Sequence, residues 1–524
     1  MPRPCLYIVV IFSFAIIYSQ QSSKLHYVEK RLPYPIYPYK EKTDDVSRRF
    51  QSLFYETLID DNPQNNDYED RHINYASCRL EENRFIFELE DEWQWNDFSG
   101  AVSRYDVKFS IEEAVRYGLF NPIKVLDVQI QGNNAIELQL DRNYPLGAKR
   151  DILDKLRQVV VIPQPDSGNM QGEELEIFAK SPVGTGPFQW DVASGSRIQL
   201  LAVDGSTSRL GRASIDEVVI ERIPLLMQHW QEMRTFQEIN LLIEATRFSK
   251  VEAEASTGYR VKPYASDKVV FLLFNYNNDL FQDKPFRLAI DLCIDKERLV
   301  AGTLQGEGDI LTGPFSQKSP YYKASVKDNG YSPDSARKLL NSILDWDAES
   351  EYFMYLGEPA KLRLIYDRGL NHEEGDVITQ IVSELKKIGI SVTRRPLNTL
   401  NYRMALNTGN FDLAYFKHHY DRKAFAHQFF SSNRLLRENQ YTDLNFGKYD
   451  NNVVDVLVEE WLRADDRSSQ QRIGQQVHSV LNRDVACIFL YSQTAYAIHV
   501  RELEPIIVPF YFFGRPHEWT FTNE

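Results

Sequence analysis

The sequence predicts an α/β protein of two or three domains. Three observations carry that expectation. The chain has 524 residues, more than one hydrophobic core organises. Segments of strict apolar–polar alternation are interleaved with segments of helical spacing. Hydrophobic residues make up 43% and charged residues 26%, a globular composition with no long disordered tract.

The elements follow in order. Leu6 to Ile17 (LYIVVIFSFAII) is apolar and follows Arg3, which is the length of an export-signal core and short for a membrane span. Residues 1–20 are read as that signal and the mature chain as exported; the following YSQQSS is poor in small cleavage-site residues, so an uncleaved anchor stays open as an alternative. Cys5 precedes the run, so no lipoprotein cysteine follows it. The next stretch, LPYPIYPYKEK, reads as extended. Val46 to Ile59 carries apolar residues at 46, 50, 53, 54 and 58, a helix face. RFIFELED alternates as a half-buried strand, and so does NAIELQLD at Asn134 to Asp141. Between them, SRYDVKFSIEEAVRYGL reads as a helix with Ser103 as N-cap.

SPVGTGPFQW, Ser181 to Trp190, looks at first like a phosphate loop. Such a loop needs a helix behind it to supply amides and dipole. Here Phe188, Trp190 and Val192 alternate, SGSR turns, and Ile198, Leu200 and Ala202 alternate again. That is a hairpin. Gly184 and Gly186 are therefore expected to serve a tight corner, through positive φ.

Further on, Asp283 and Asp295 are candidate N-caps, and Ser332-Pro333-Asp334 is a strong helix start. KLRLIYD and SVTRRP flank a helix in a β-α-β unit. Three cysteines remain beyond the signal, Cys78, Cys293 and Cys487, with no C-x-x-C. Buried free thiols are expected, and one disulfide among them stays open.

The net charge of −14 leaves no electrostatic footprint for a nucleic-acid partner. Aromatic residues reach 13%, enough for a large amphipathic recognition surface as well as for cores. There is no G-x-S-x-G and no H-E-x-x-H, so no hydrolase motif is present.

An ordered set of segments resembles the family 5 extracellular solute-binding proteins, the oligopeptide-, dipeptide- and nickel-binding receptors of ABC importers. The matches are FYETLI, FIFELEDEWQWND, YDVKFS, PVGTGPF, VVFLLFNYNND with FQDKPFRLAIDLCIDKERLV, YSPDSARKLL, Asp376 to Val392, Phe411–Asp412 and ACIFLYSQTAYAI. The resemblance implies a two-lobed periplasmic-binding-protein fold of type II, of the large peptide-binding class, with a third domain inserted in lobe one. Lobe one would comprise residues 21–61, 173–263 and 498–524, the insert 62–172, and lobe two 264–497. Two strands, around Tyr264 to Asn275 and Ile488 to Ala497, would cross between lobes.

The resemblance further implies a periplasmic, non-catalytic, monomeric receptor without cofactor. It would enclose a peptide or other small solute by hinge closure and deliver it to permease subunits with their ATPase. Aligning from Phe411–Asp412 places Asp421 on the family's amine-binding aspartate. Charge-assisted bonds there are worth roughly 1.5–3 kcal/mol each. The family's downstream Asp-Pro is missing, Lys417-His418 stands for its Gly-Trp, and Arg422 and Lys423 follow Asp421. Asp421 reads equally as a mere partner of those bases.

Four further ligand-binding candidates are Arg368, Asn275, Trp95 and His418. Arg368 could meet a carboxylate or be solvated, and Trp95 could stack on ligand or pack in a core. Asn275 reads equally as a backbone-contacting amide and a turn former. His418 and His419 invite a metal, but neighbours on a strand point to opposite faces and do not chelate together easily, so no metal site is assigned. A secreted hydrolase and a transport-deficient sensor or scaffold are the alternative readings.

Overall fold

The computed structural model describes residues 23–522, apart from 34–36, 40–44, 62–67, 71–72, 74, 91–92, 122, 142–148, 204, 206–210, 237, 371, 420–428, 433–443, 465, 507–512 and 514. Its central feature is an antiparallel pair of unusually long strands, Tyr259–Phe274 and Ile488–Val500. They hydrogen-bond along nearly their whole length, from Tyr259 opposite Val500 to Leu272 opposite Ile488. The family resemblance implied both, around Tyr264 to Asn275 and Ile488 to Ala497, and each begins earlier or ends later than that.

The apolar residues sort onto two sides of this pair. One core draws on residues 25–243 together with Ala497, Leu503, Phe513 and Trp519. The other draws only on residues between Val269 and Tyr491. A small third cluster, around Trp230 and Met233, packs beside the first. The main sheet runs through both halves. On the first side lie Leu241–Leu242, Lys24–Glu29, Glu217–Arg222, Arg197–Ala202 and Phe188–Ser194, in that order. On the second lie Leu413–His419, Lys361–Asp367 and Ser391–Leu397.

Local sequence signals account for most of these elements. Ser103 caps Arg104–Arg116 in a full capping box: its hydroxyl accepts from the Asp106 amide, and the Asp106 carboxylate accepts from the Ser103 amide. That helix packs on a four-stranded antiparallel sheet of Arg79–Glu81, Arg84–Glu88, Ala135–Leu140 and Val125–Gln131. Asp295 caps as expected, accepting from the Arg298 amide at 2.8 Å. Asp283 and Ser332 stand at N-cap positions without a side-chain cap bond, the Ser332 hydroxyl bonding Ser335 instead. The β-α-β unit is Lys361–Asp367, His372–Lys387 and Ser391–Leu397, its strands parallel. Cys78, Cys293 and Cys487 are all buried, and no disulfide joins any two of them.

The Ser181–Trp190 stretch is a structural corner leading into the Phe188–Ser194/Arg197–Ala202 hairpin. The reason for its glycines differs from the expected one. Neither Gly184 nor Gly186 has positive φ; both lie against the backbone of Phe54. A Cβ on Gly184 would stand 2.2 Å from the Phe54 carbonyl oxygen, and one on Gly186 would stand 2.6 Å from its carbonyl carbon. The close approach is held by the Gly186 amide donating to the Phe54 carbonyl at 2.9 Å. The Glu56 amide donates to Thr185 Oγ1 at 3.0 Å.

Asp412 shows what the Phe411–Asp412 motif does. Its carboxylate accepts from the Arg363 amide at 2.7 Å, from Arg363 Nε at 2.8 Å and Nη2 at 3.0 Å, and from Asn278 at 3.1 Å. Burial pushes this carboxyl up, but the Arg363 bonds prevail and hold it below the usual range. The motif thus locks two neighbouring strands of the second half together.

Two stability predictions follow from this packing. Gly184→Ala should lower the urea midpoint, costing about 1–3 kcal/mol through overpacking against backbone that cannot yield. Gly375→Ala, where a Cβ meets nothing within 4 Å, should leave the midpoint unchanged or raise it. The second concerns His478, which is fully buried, stacks on Phe315 at 6.0 Å and bonds Thr312 Oγ1 at 3.1 Å. Burial, then the charge of Lys323, lowers its pKa to about 4 from an ordinary 6.5. Between those values the unfolded chain binds a proton that the folded chain does not. The contribution is complete above the unfolded value and is lost as pH falls toward 4, by on the order of 3 kcal/mol. Thermal midpoints measured across that window should fall less steeply in His478→Gln than in the native chain.

Candidate functional site at the lobe boundary

Strand direction decides where a ligand can sit. Tyr259–Phe274 runs from the first half into the second, and Ile488–Val500 runs back. Leu413–His419 is antiparallel to the former, so its carboxyl end points toward the first half. Lys361–Asp367 and Ser391–Leu397 are parallel to it and end on the same side. In the first half, Leu241–Leu242 is antiparallel to the returning strand and therefore ends toward the second half. Lys24–Glu29 and Glu217–Arg222 are parallel to it and do the same. The carboxyl ends of both parallel sets thus face the boundary between the two cores, which is where open α/β sheets place ligands.

The boundary is bent at a defined point. Pairing of the two long strands shifts register between Ala265/Thr494 and Val269/Ser492, leaving residues 266–268 against Gln493 alone. It shifts again between Val270/Tyr491 and Phe271/Phe489. Bulges of this kind bend and twist a ladder. Beside them, Lys250 on the first-half helix Arg247–Glu254 meets Glu307 of the second half at 2.6 Å, its ammonium 4.3 Å over the Tyr496 ring. Burial works against the Lys250 charge, but the bond to Glu307 outweighs it and the pKa is raised. Lys268 and Glu244 approach at 3.6 Å nearby.

The second-half face of the boundary is lined by strand ends and helix starts. Arg368 directly follows Lys361–Asp367, is exposed, and donates its amide to Leu397 at 2.6 Å. Asn398 caps the helix Thr399–Thr408, accepting from the Asn401 amide. His418 lies one residue from the end of Leu413–His419 and is packed among rings, 4.7 Å from Phe429 and 6.2 Å from Phe416. Asp421 lies outside the described residues.

Lys417, which puts basic charge beside the expected amine site, is paired with the carboxylate of Glu374 at 2.6 Å. Glu374 is buried in the first turn of His372–Lys387. One turn deeper, the buried Tyr415 and Tyr491 hydroxyls bond each other at 2.7 Å across three strands. Burial pushes both phenols up, so both stay protonated. Glu374 and this tyrosine pair were not singled out from sequence; a glutamate in a helix first turn is an ordinary surface signal.

Two candidates lie elsewhere. Asn275 follows the carboxyl end of Tyr259–Phe274, at the far end of the second half. Its buried amide donates to the Gly409 and Phe411 carbonyls and its oxygen accepts from the Asn277 amide. Both features of the residue are present: its amide contacts main-chain carbonyls of a distant segment, and its oxygen closes a turn with Asn277. Trp95 is 6% exposed within the first core. The adjacent Asn96 is bonded to Gly184 and to Phe188, the residue that opens its strand away from the boundary. The packing reading fits Trp95. Among the described residues no group of three or more His, Cys, Asp or Glu could hold a metal ion.

This geometry has counterparts. The family model described as "Bacterial extracellular solute-binding proteins, family 5 Middle" matches residues 81–480. The oligopeptide-binding protein AppA of Bacillus subtilis is 25% identical over 355 residues, 64% of this chain and 62% of AppA, so the aligned sequence spans less than two thirds of that relative. The structure of AppA from Bacillus subtilis in complex with a nonapeptide superposes with a TM-score of 0.73 at 20% identity, covering 96% of this chain and 100% of that one. NikA from Brucella suis in complex with Fe(III)-EDTA superposes with a TM-score of 0.78 at 17% identity, covering 95% and 99%. With the two-lobed α/β fold in place and most of its length under one family model, the chain belongs to the bacterial extracellular solute-binding proteins of family 5.

Proposed function

We propose that this protein is the substrate-binding component of an ABC-type importer. It captures a peptide between its lobes by hinge closure and hands it, unchanged, to a membrane permease with its ATPase. The observation that carries this reading is the facing of carboxyl strand ends from two separate cores across a bulged pair of linking strands. A ligand touching both faces stabilises the closed arrangement by its differential contacts alone. The division used is 21–61, 173–263 and 498–524 for lobe one, with 62–172 inserted, and 264–497 for lobe two. AppA, named as oligopeptide-binding, supports peptide as the cargo class. The reading includes export to the periplasm behind a signal in residues 1–20, and a monomeric receptor.

Within it, Asp421 receives the peptide's amino terminus, and the pairing of Lys417 with Glu374 removes a positive charge that would oppose an ammonium there. Arg368 and His418 stand on the same face and are retained as contacts; Trp95 and Asn275 are not.

Small-angle scattering should show the radius of gyration falling when a mixed peptide pool is added, with no peptide hydrolysed afterwards. An unchanged radius with every peptide tested would remove the receptor reading, and turnover would favour a hydrolase. Asp421→Asn should weaken peptide binding by about tenfold or more in calorimetry, since truncating one partner of a buried charge pair costs about 2–5 kcal/mol.

A further inference from the structure

The receptor reading has its ligand touch both faces of the boundary, but the contacts assigned so far all lie on the second-half face. The first-half face holds a groove of about 870 Å³, within the range of small-ligand sites. It is built from the carboxyl-end segments identified above. Arg31 and Leu32 follow Lys24–Glu29, Arg222 ends Glu217–Arg222, and Lys180 ends the helix Glu173–Lys180. Trp190 forms one wall, its ring fixed edge-on against Phe50 at 6.5 Å and Phe54 at 6.4 Å. Ala193 and Gly195, at the hairpin turn, leave the mouth clear of long side chains.

The charge in this groove has one sign. All three ionisable lining residues are basic, in a chain whose net charge is −14. Neither Arg222 nor Lys180 meets a carboxylate among the described residues, and both are exposed. Two acids on the strands that end at the groove are engaged elsewhere. Glu29 is buried in a two-point pair with Arg49, at 2.5 and 2.8 Å. Glu221, next to Arg222, points to the opposite sheet face and binds His26 and Arg197.

Resting on the receptor reading, we infer that this groove selects acidic peptides: Arg222 and Lys180 hold carboxylates of the cargo while Trp190 and Leu32 cover its apolar stem. Arginine suits a carboxylate because its planar fork matches two oxygens. The flat indole face accommodates side chains without demanding one shape. Closing the lobes removes water from the groove. A cation with no partner then opposes closure, and a cargo carboxylate relieves that cost.

Calorimetry on the full mature chain tests this with two peptides of equal length, Ala-Glu-Glu-Ala and Ala-Gln-Gln-Ala. The glutamate peptide should bind about tenfold more tightly at low salt, with the advantage shrinking as salt rises. The double variant Lys180→Gln/Arg222→Gln should erase the preference while keeping the affinity for the glutamine peptide. Both residues are exposed, so an unaltered thermal midpoint is expected of the variant. Lys180→Glu/Arg222→Glu should invert the preference. Equal affinities in the native chain, or a preference that survives the glutamine variant, would overturn the acidic-cargo inference and leave the receptor reading standing. Binding of neither peptide, with no closure by any peptide pool, would overturn both.

Discussion

The whole architecture depends on the ladder between Tyr259–Phe274 and Ile488–Val500. Each strand belongs to both cores: Val269 to Phe274 and Ile488 to Tyr491 are buried in one, Ala497 in the other. Continuous backbone pairing of this kind resists stretching and shear far better than a flexible linker would. What it permits is bending, and the register shifts concentrate that bending near residues 265–271 and 489–494. The Lys250–Glu307 pair spans the same place from one half to the other, so the angle between halves is set by a few residues. On the proposed receptor reading, closure is a rotation about this place, amplified by the length of each lobe.

The same ladder imposes the polarity of everything attached to it. Because the two strands run in opposite directions, and each half builds its parallel strands antiparallel to one of them, both sets of carboxyl ends must face inward. Loops and helix starts accumulate there, free of the packing demands of the cores. Residues whose charges would be intolerable inside a core are tolerated at this boundary, where water reaches them until a ligand replaces it. The proposed binding site lies on these inward faces, where loops rather than core packing hold the residues.

Much of this was legible in the residues because the signals were local or strongly periodic. The Ser103 capping box, the hairpin after Pro187 and the β-α-β unit are fixed by neighbours within a few positions. The linking strands came from the family resemblance, since Tyr259–Phe274 is polar through its middle and shows no long apolar run. What stayed hidden depends on partners far apart in sequence. Gly184 and Gly186 carry the signature of a turn, yet their reason is the Phe54 backbone lying against them. Asn275 offers an amide at the end of a long strand, and only the fold shows that this amide meets the Gly409 and Phe411 carbonyls, more than 130 positions away. Lys417 looks like a free cation until Glu374, 43 positions earlier, is folded beneath it. The groove beside Trp190 draws on residues near 31, 180, 190 and 222, and no window of sequence joins them.

Similarity of fold does not choose the cargo. The structures that superpose at TM-scores of 0.73 and 0.78 are two proteins of this fold, solved with a nonapeptide and with Fe(III)-EDTA respectively. On the proposed reading, the choice comes from charges that are left uncompensated when the lobes meet. On the second-half face of this chain, Lys417 is neutralised by Glu374, and Arg363, further from the boundary, is spent on Asp412. On the first-half face, Arg222 and Lys180 are not neutralised by any described residue. Enclosure raises the cost of an unpaired charge, because the surrounding dielectric falls as water leaves. A cargo that brings carboxylates to those two cations converts an obstacle to closure into a contribution to it, and a neutral cargo of the same size does not. Selectivity in this arrangement arises from the penalty that the wrong ligand leaves in place as much as from the contacts that the right one makes.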